Sequence, residues 1–187
     1  AQRTAELERI TAPLSFFTRG IARMLLESST LPAEVYIVGV GEGEVSIRSD
    51  GAEPVILTAM WEPDWPTDLV HREVPVVRLP QPRTRGWGTW RYMRQLGRWL
   101  LANRGSYDVI FVSMLKHSAF TAINVGQKLG VPVLLRAEGA GPTGDCQWQQ
   151  EARFGSRIRT RCQQAASVVA PGQQVAEELL AAGYSAD

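Results

Sequence analysis

The sequence predicts an α/β fold with a mostly parallel sheet, and three observations support this prediction. Short runs rich in Val, Ile and Leu alternate along the chain with longer segments of helical periodicity. The short runs are apolar at nearly every position, as strands buried on both faces of a sheet require. No internal repeat or linker-like stretch interrupts the alternation. Residues 1–187 are therefore expected to form a single domain, a Rossmann-like three-layer α/β/α sandwich.

The strands are predicted from continuous apolar runs and from the turn-forming residues between them. Five runs are clear: residues 35–40, 74–79, 108–114, 131–137 and 167–170. A weaker pair, residues 45–48 and 55–59, flanks the turn residues Asp50 and Gly51. The segment 61–72 contains two Trp and two Pro, and its irregular pattern predicts a loop.

Helices are predicted where apolar residues recur at helical spacing and where cap residues mark the ends. They are residues 15–28, residues 118–129 with Ser118 as the N-cap, residues 151–161, and residues 172–182 with Gly183 closing the helix. The 151–161 helix is rich in arginine, which indicates either a solvated face or a surface for an anionic acceptor. Its arginines are Arg153, Arg157, Arg159 and Arg161.

The charge balance argues against a nucleic-acid partner. The chain has 20 Lys and Arg residues and 19 Asp and Glu residues, a formal net charge of +1, whereas a general binding surface for a polyanion needs a basic excess.

Cys146 and Cys162 lack the spacing of a zinc site, so reduced thiols and no metal site are expected. The chain shows no spanning apolar run and no signal-peptide pattern, which predicts a soluble or peripherally attached protein.

The segment 83–101 carries five arginines and three tryptophans but no acidic residue. Its apolar spacing predicts a helix over residues 90–101, with Arg91, Arg94 and Arg98 on one polar stripe and a wide apolar arc opposite. The segment is either a core helix with a solvated arginine face or a contact with anionic lipid headgroups. The candidates for membrane contact are Arg83, Arg85 and Trp87 in the preceding loop, and Arg91, Arg94, Arg98 and Trp99 in the helix.

The order of motifs in the second half resembles that of a known enzyme family. The runs VPVVRLP, YDVIFVSMLKHSAFTAINVGQKLGVPVLLRAEG and ASVVAPGQQVAEELLAAGY follow one another within residues 74–187, with the basic helix after the first. This order resembles the N-terminal domain of family 4 retaining glycosyltransferases of GT-B architecture. That family has a strand after a Tyr-Asp pair, LGVP before a strand, and a helix that closes on glycine. The order and spacing of the motifs carry the resemblance.

The resemblance implies a two-domain enzyme that moves a sugar from a nucleotide-diphosphate sugar to a glycan or lipid-linked acceptor. In such enzymes the N-terminal domain binds the acceptor and the C-terminal domain holds the donor, so no cofactor besides the donor substrate is implied. Residues 1–187 match the N-terminal domain, which alone is expected to be inactive. The two reduced thiols predict a cytoplasmic protein. The membrane-contact alternative for residues 83–101 would place it at the inner face of the plasma membrane.

Two features depart from the family pattern. No clear strand and no Gly-Gly pair precede the helix predicted at residues 15–28, where related enzymes carry a glycine-rich loop. After the strand at residues 131–137, Glu138 and Gly139 occupy the place of a His-Gly dipeptide. A histidine role can therefore not be assigned to position 138.

Candidate site residues lie in the two loops that follow predicted parallel strands, because ligands bind at the carboxyl ends of such strands. Lys116 and His117 follow the strand at residues 108–114. They either contact a phosphate or a sugar hydroxyl of the substrate, or they are solvated loop residues.

The second loop contributes an acidic residue and several glycines. Arg136 and Glu138 share one face of the strand end, which favours a structural ion pair over acceptor binding. Gly139 and Gly141 indicate either a close approach of the backbone to a ligand or a plain surface turn.

A second class of function stays open: a non-catalytic α/β module that binds a ligand or regulates another protein. The same alternation of strands and helices fits it, since a fold alone does not set function. His71 and His117 are the only histidines, and no GxSxG, Walker or HExxH motif is present. Hydrolase, kinase and metalloprotease functions therefore have little support.

Overall fold

The computed structural model describes residues 35–38, 54–60, 64–71, 74–80 and 86–185. Within these ranges, seven strands form one sheet. The strands are β1 (Val35–Val38), β2 (Val55–Met60), β3 (Asp68–His71), β4 (Val74–Pro80), β5 (Val109–Ser113), β6 (Val133–Arg136) and β7 (Ser167–Val169). Their order in the sheet is β3-β4-β2-β1-β5-β6-β7.

Every described strand pair is parallel except the edge pair β3–β4, which is antiparallel. Strand β1 lies between β2 and β5, and its Val38 pairs with Val112 of β5. Strands β2, β4 and β3 lie on one side of β1 in the sheet, and strands β5, β6 and β7, which follow later in the chain, lie on the other side. The strand order therefore reverses between β1 and β5, which is where open α/β sheets bind their ligands.

Five α-helices in the described residues connect or follow the strands. They are α1 (Trp87–Ala102), α2 (His117–Leu129), α3 (Asp145–Glu151), α4 (Gly155–Cys162) and α5 (Gln173–Ala181), and a 3₁₀ turn covers Gly141–Thr143. Helix α2 packs against α1 on one side and against α4 on the other. Because α1, α2 and α3 each follow a parallel strand, their N-terminal ends lie at the carboxyl edge of the sheet.

The core is centred on β5 and the helices that cover it. Residues Val109 to Val112 of β5 are all buried, as the apolar run predicted for a strand covered on both faces. Helix α1 contributes Leu96 and Leu100, and helix α2 contributes Ile123, all with no more than 1% of their surface exposed. Burial of these aliphatic side chains is the main favourable contribution to folding.

The α/β prediction with a mostly parallel sheet and Rossmann-like order is confirmed. Each clear run predicted as a strand contains one, with ends that differ by at most two residues where both ends are described. The glycine-terminated helices are also confirmed, since Gly130 (φ 70°) and Gly183 (φ 84°) follow α2 and α5 in the left-handed conformation.

The loop predicted at residues 61–72 is wrong in part, because it contains the edge strand β3. This strand is short, its one pairing partner among the described strands is β4, and its Val70 is 69% exposed. An edge strand needs no buried apolar run, so the sequence pattern that identifies central strands is missing.

The prediction of a single arginine-rich helix at residues 151–161 is also wrong. Helix α3 ends at Glu151, Ala152 is extended, and α4 begins at Gly155. A Cβ atom at Gly155 would overlap the carbonyl group of Gln149. The backbone of α4 therefore approaches α3 at a distance that only glycine permits.

Two helix starts differ from the prediction. Helix α1 begins at Trp87, three residues before the predicted start, because Gly86 adopts a positive φ of 75° and redirects the chain there. Trp87 is thus the first helical residue and not part of a loop. Helix α2 begins at His117 without a side-chain cap, and the predicted N-cap Ser118 is a buried residue of its first turn.

The apolar side of α1 is narrower than predicted. Its buried seam consists of Gly88, Tyr92, Leu96 and Leu100, at four-residue spacing. Trp90 and Leu101 lie on the wide apolar arc that the spacing predicted, but their side chains are exposed.

Several predictions lie outside the described residues: the helix at residues 15–28, the strand at residues 45–48, the end of the run at residues 35–40, and Arg83 and Arg85. Among the helices of the described residues, none has the length and apolarity needed to cross a bilayer.

The close approach at Gly155 yields a prediction for stability. Gly155→Ala should lower the free energy of unfolding by about 1–3 kcal/mol, because the new methyl group must displace backbone and cannot be accommodated by a side-chain rotation. Urea denaturation measures the change. Gly139→Ala is the matched control, since its Cβ would meet no atom within 4 Å. Equal stability of the two variants would contradict the prediction.

Candidate functional site

The site is built on the two loops that leave the carboxyl ends of β5 and β6. In the first loop, Met114 has a positive φ of 72°, an uncommon and strained conformation for a residue other than glycine. Its N–H donates to the carbonyl oxygen of Arg136 at 2.9 Å. This turn brings the residues after β5 next to the end of β6.

Arg136 and Glu138 form the ion pair that their alternation predicted. Arg136 Nη1 donates to Glu138 Oε1 at 2.9 Å, and Ser113 Oγ donates to the same carboxylate oxygen. Ser113 is the last residue of β5, so Glu138 links the ends of two neighbouring strands. The role of these groups in this geometry is to hold the strand ends together.

Asp145 is the buried acid of the site, with 2% of its surface exposed. Its Oδ2 accepts the backbone N–H of Glu138 at 2.8 Å, and its Oδ1 lies 4.0 Å from Lys116 Nζ. Burial raises the pKa of Asp145 above its ordinary value, although the Glu138 N–H and the Lys116 charge oppose the shift. Sequence reasoning did not identify Asp145, and its position at the start of a helix after a glycine-rich loop was the available signal.

Gln149 is the second buried polar residue of α3 and contacts two other parts of the chain. Its Nε2 donates to the carbonyl oxygen of Leu115 at 2.7 Å, and its Oε1 accepts the Tyr184 hydroxyl at 3.0 Å. Both polar ends of the amide are therefore satisfied in the interior, as a buried amide requires. No motif in the sequence pointed to this residue.

The glycines of the second loop have structural roles. Gly141 has a φ of 73°, which favours glycine, and its N–H donates to Glu178 Oε1 of α5 at 2.8 Å. Gly139 has no close neighbour at its Cβ position. Because the Gly141 amide is already bound by Glu178, this amide is not presented to a ligand.

A cavity of about 910 Å³ opens at the carboxyl edge of the sheet, between the starts of α1 and α2 and the α3–α4 pair. Its walls are mostly aromatic and basic, and none of the described residues that line it is acidic. The aromatic and basic lining residues are Trp90, His117, Phe120, Trp148, Arg153, Phe154 and Arg157. An apolar cavity with a few convergent polar groups is the usual form of a small-molecule site.

His117 is the predicted site residue that lines this cavity. Its ring meets the Trp148 ring edge to face, with the ring centres 5.1 Å apart. Burial, and to a lesser degree the Lys116 charge, lowers the pKa of His117 below 6.5. The imidazole is therefore neutral at pH 7 and can donate and accept hydrogen bonds.

Lys116 lies beside the cavity, with its ammonium group 5.6 Å from the centre of the Trp148 ring. The structure thus brings Lys116 and His117 together around Trp148. Arg136, Glu138 and Gly141 instead belong to the contacts that hold the loops behind the cavity.

The candidates for membrane contact in α1 separate into two groups. Trp87 is 58% exposed and stacks on Trp90 at 4.8 Å between ring centres, and Arg94 lies over Trp90. Arg91 and Arg98 are also exposed. Trp99 is half-buried and packs against the core. The exposed aromatic surface is therefore formed by Trp87 and Trp90.

The two cysteines are buried and free, and burial raises the pKa of Cys162 to about 12. In the described ranges, no group of three or more His, Cys, Asp or Glu side chains could hold a metal ion.

The fold and this cavity define a class: a Rossmann-like α/β domain with a ligand site at its strand ends. The narrower assignment comes from sequence comparison, in which the profile of the glycosyl transferase 4-like domain matches residues 42–187. The chain belongs to this family, and it is a glycosyltransferase-like domain of GT-B fold. The family predicted from the motif order is thereby confirmed.

Two solved structures are similar to this chain at low sequence identity. A UDP-GlcNAc 2-epimerase from Methanocaldococcus jannaschii is 15% identical with a TM-score of 0.50, and the match covers 81% of this chain and 43% of that chain. A putative UDP-N-acetylglucosamine 2-epimerase from Listeria monocytogenes is 14% identical with a TM-score of 0.48, covering 82% and 43%. The chain spans less than half the length of these proteins. No protein of curated function matches it.

The buried carboxyl group of Asp145 predicts a pH dependence of stability. Because its native pKa is raised, the native state holds this proton more tightly than the unfolded state. The free energy of unfolding contributed by Asp145 therefore falls as the pH rises from 3.8 through the native pKa, and is constant above it.

Asp145→Asn removes this titration. The stability of the wild type relative to Asp145→Asn should decrease as the pH rises above 3.8, as urea denaturation at a series of pH values measures. Asp64→Asn, at an exposed position, is the control. A difference between wild type and Asp145→Asn that does not change with pH would contradict the prediction.

Proposed function

We propose that this domain binds the acceptor in a glycosyltransferase that moves a sugar from a nucleotide-diphosphate sugar to a glycan or lipid-linked acceptor. The observation that carries the proposal is the aromatic cavity at the carboxyl edge of the sheet, in a chain of the glycosyl transferase 4-like family. A second domain of the same enzyme holds the donor. Without that domain, residues 1–187 transfer no sugar.

The cavity walls suit a saccharide acceptor. Trp148 supplies a flat apolar face on which a sugar ring can pack, and the neutral His117 supplies a hydrogen-bond partner for a hydroxyl group. Lys116, beside Trp148, supplies a cation at the same end. In this proposal the domain orients the acceptor hydroxyl towards the donor, and the reaction retains the configuration of the transferred sugar.

The proposal includes a peripheral contact with the cytoplasmic face of the membrane. The stacked pair Trp87 and Trp90 exposes aromatic surface next to Arg91 and Arg94. Aromatic side chains insert at the headgroup level of a bilayer, while arginines attract anionic lipids. The exposed start of α1 therefore fits a membrane surface better than its half-buried Trp99 does.

Acceptor binding by His117 is tested in the full-length protein with a panel of UDP-glucose, UDP-N-acetylglucosamine and GDP-mannose. Release of nucleoside diphosphate should depend on an added acceptor pool extracted from membranes. His117→Ala should raise the acceptor KM by about fivefold, the loss of one hydrogen bond, and leave the donor KM unchanged. Lys128→Ala, at the exposed far end of α2, is the control.

Two outcomes would count against the proposal. If the full-length protein binds no nucleoside diphosphate, the domain belongs to a non-catalytic ligand-binding module. If it binds the nucleotide but His117→Ala changes the donor KM instead of the acceptor KM, the cavity is not the acceptor site.

Membrane contact is tested by co-sedimentation with anionic and with neutral vesicles. The protein should bind vesicles of phosphatidylglycerol and phosphatidylcholine more strongly than phosphatidylcholine alone. Trp87→Ala should weaken this binding by about fivefold, since roughly 1 kcal/mol of apolar burial is lost. Trp65→Ala, which removes another exposed tryptophan, is the matched control. Equal binding to both vesicle types would end the membrane proposal.

A further inference from the structure

We propose that the cavity binds a phosphate-bearing amphiphile, with the phosphate on Arg153 and Arg157 and the apolar chain along Trp90 and Trp87. This inference rests on the proposed function, and it selects the lipid-linked phosphate among the acceptors that the fold permits. Three features of the described residues support it: the basic rim, the absence of lining carboxylates, and an aromatic surface that continues outside the cavity.

The basic rim consists of two arginines that no carboxylate among the described residues neutralises. Arg153 and Arg157 both line the cavity and are exposed, and neither forms an ion pair with any residue in the described part of the chain. Each guanidinium lies over an aromatic ring, Arg153 over Phe154 at 5.4 Å and Arg157 over Phe120 at 5.8 Å. Rings that support the planar guanidinium groups reduce the entropy lost when they grip a phosphate.

The charge of the cavity favours an anion. None of the described residues that line it is acidic, and Lys116, which is ion-paired with Asp145, lies next to Trp148. His117 is neutral at pH 7 because its pKa is lowered, so the positive charge is concentrated on the arginine side. A phosphate group offers the oxygen pairs that the arginine forks bind in a bidentate manner.

The aromatic surface extends from the cavity to the exterior. Trp90 lines the cavity and is 47% exposed, and it stacks on Trp87, which lies outside the lining and is 58% exposed. Phe154 lines the same cavity and is 57% exposed. A soluble sugar makes no use of an apolar surface outside its site. The apolar chain of an amphiphile, in contrast, needs such a surface to pack against. Contiguous exposed aromatic groups of this kind mark a surface that an apolar partner covers.

The experiment compares three probes by isothermal titration calorimetry of the full chain, each below its critical micelle concentration. Octyl phosphate carries both the anion and the chain, octyl glucoside carries the same chain with a neutral head, and inorganic phosphate carries the anion alone. Octyl phosphate should bind at least about tenfold more tightly than either of the others. Equal affinity for inorganic phosphate would mean a soluble anion, and equal affinity for octyl glucoside would mean an apolar groove. Either result overturns the inference.

Substitutions at the cavity test which residues bind the phosphate group and which bind the octyl chain. The double variant Arg153→Gln/Arg157→Gln should lower the affinity for octyl phosphate by more than about tenfold, because the charged contacts are lost. The affinity for octyl glucoside should not change. Trp90→Ala should lower the affinity for both octyl ligands and leave the affinity for inorganic phosphate unchanged. Arg104→Gln, at an exposed position outside the cavity, is the control for charge. Equal loss of octyl phosphate affinity in the control would overturn the assignment.

The assay separates this inference from the proposed function. If the full-length protein releases nucleoside diphosphate with a soluble acceptor but fails to bind octyl phosphate, the proposed function holds. The inference that the cavity binds a phosphate-bearing amphiphile is then wrong. If octyl phosphate binds through the arginines and no donor is turned over, the phosphate site stands and the glycosyltransferase proposal fails.

Discussion

The site depends on two buried polar side chains of one short helix. Asp145 and Gln149 lie four residues apart in α3, so both point to the same side of the helix. Asp145 accepts the backbone N–H of Glu138 in the loop after β6, and Gln149 donates to the backbone carbonyl of Leu115 in the loop after β5. A buried carboxylate and a buried amide are costly unless they are hydrogen-bonded. These two hydrogen bonds each join α3 to one of the loops, so together they fix both loops relative to α3.

Once the loops are fixed, the shape of the cavity follows. Trp148 of α3 lies near both Lys116 and His117. The break after Glu151 brings Arg153 of the α3–α4 connection and Arg157 of α4 to the same opening. That break requires glycine at position 155, because no other residue can approach the carbonyl group of Gln149 so closely. The aromatic walls thus come from α1, α2 and the α3–α4 pair, three parts of the chain that meet only at the carboxyl edge of the sheet.

The repeating parts of the fold could be predicted from the sequence, and so could one contact of the site. Central strands such as β5 and β6 are continuous apolar runs, and α2 and α5 end at glycines with positive φ. The pairing of Arg136 with Glu138 follows from strand alternation. Edge strand β3 and the break between α3 and α4 escaped prediction, because one has no buried run and the other depends on a close contact between segments.

The sequence by itself determined the class of fold, the family and the positions of the strand-end loops, because hydrophobic periodicity and the order of motifs are properties of the linear chain. Only the tertiary structure decided which side chains share a cavity and which are used to hold it together. Glu138 and Gly141 are engaged in loop contacts, whereas Trp148 and Arg157 line the cavity. The physical reason is that burial and hydrogen-bond partners are set by contacts between distant segments, and no local pattern in the sequence records them.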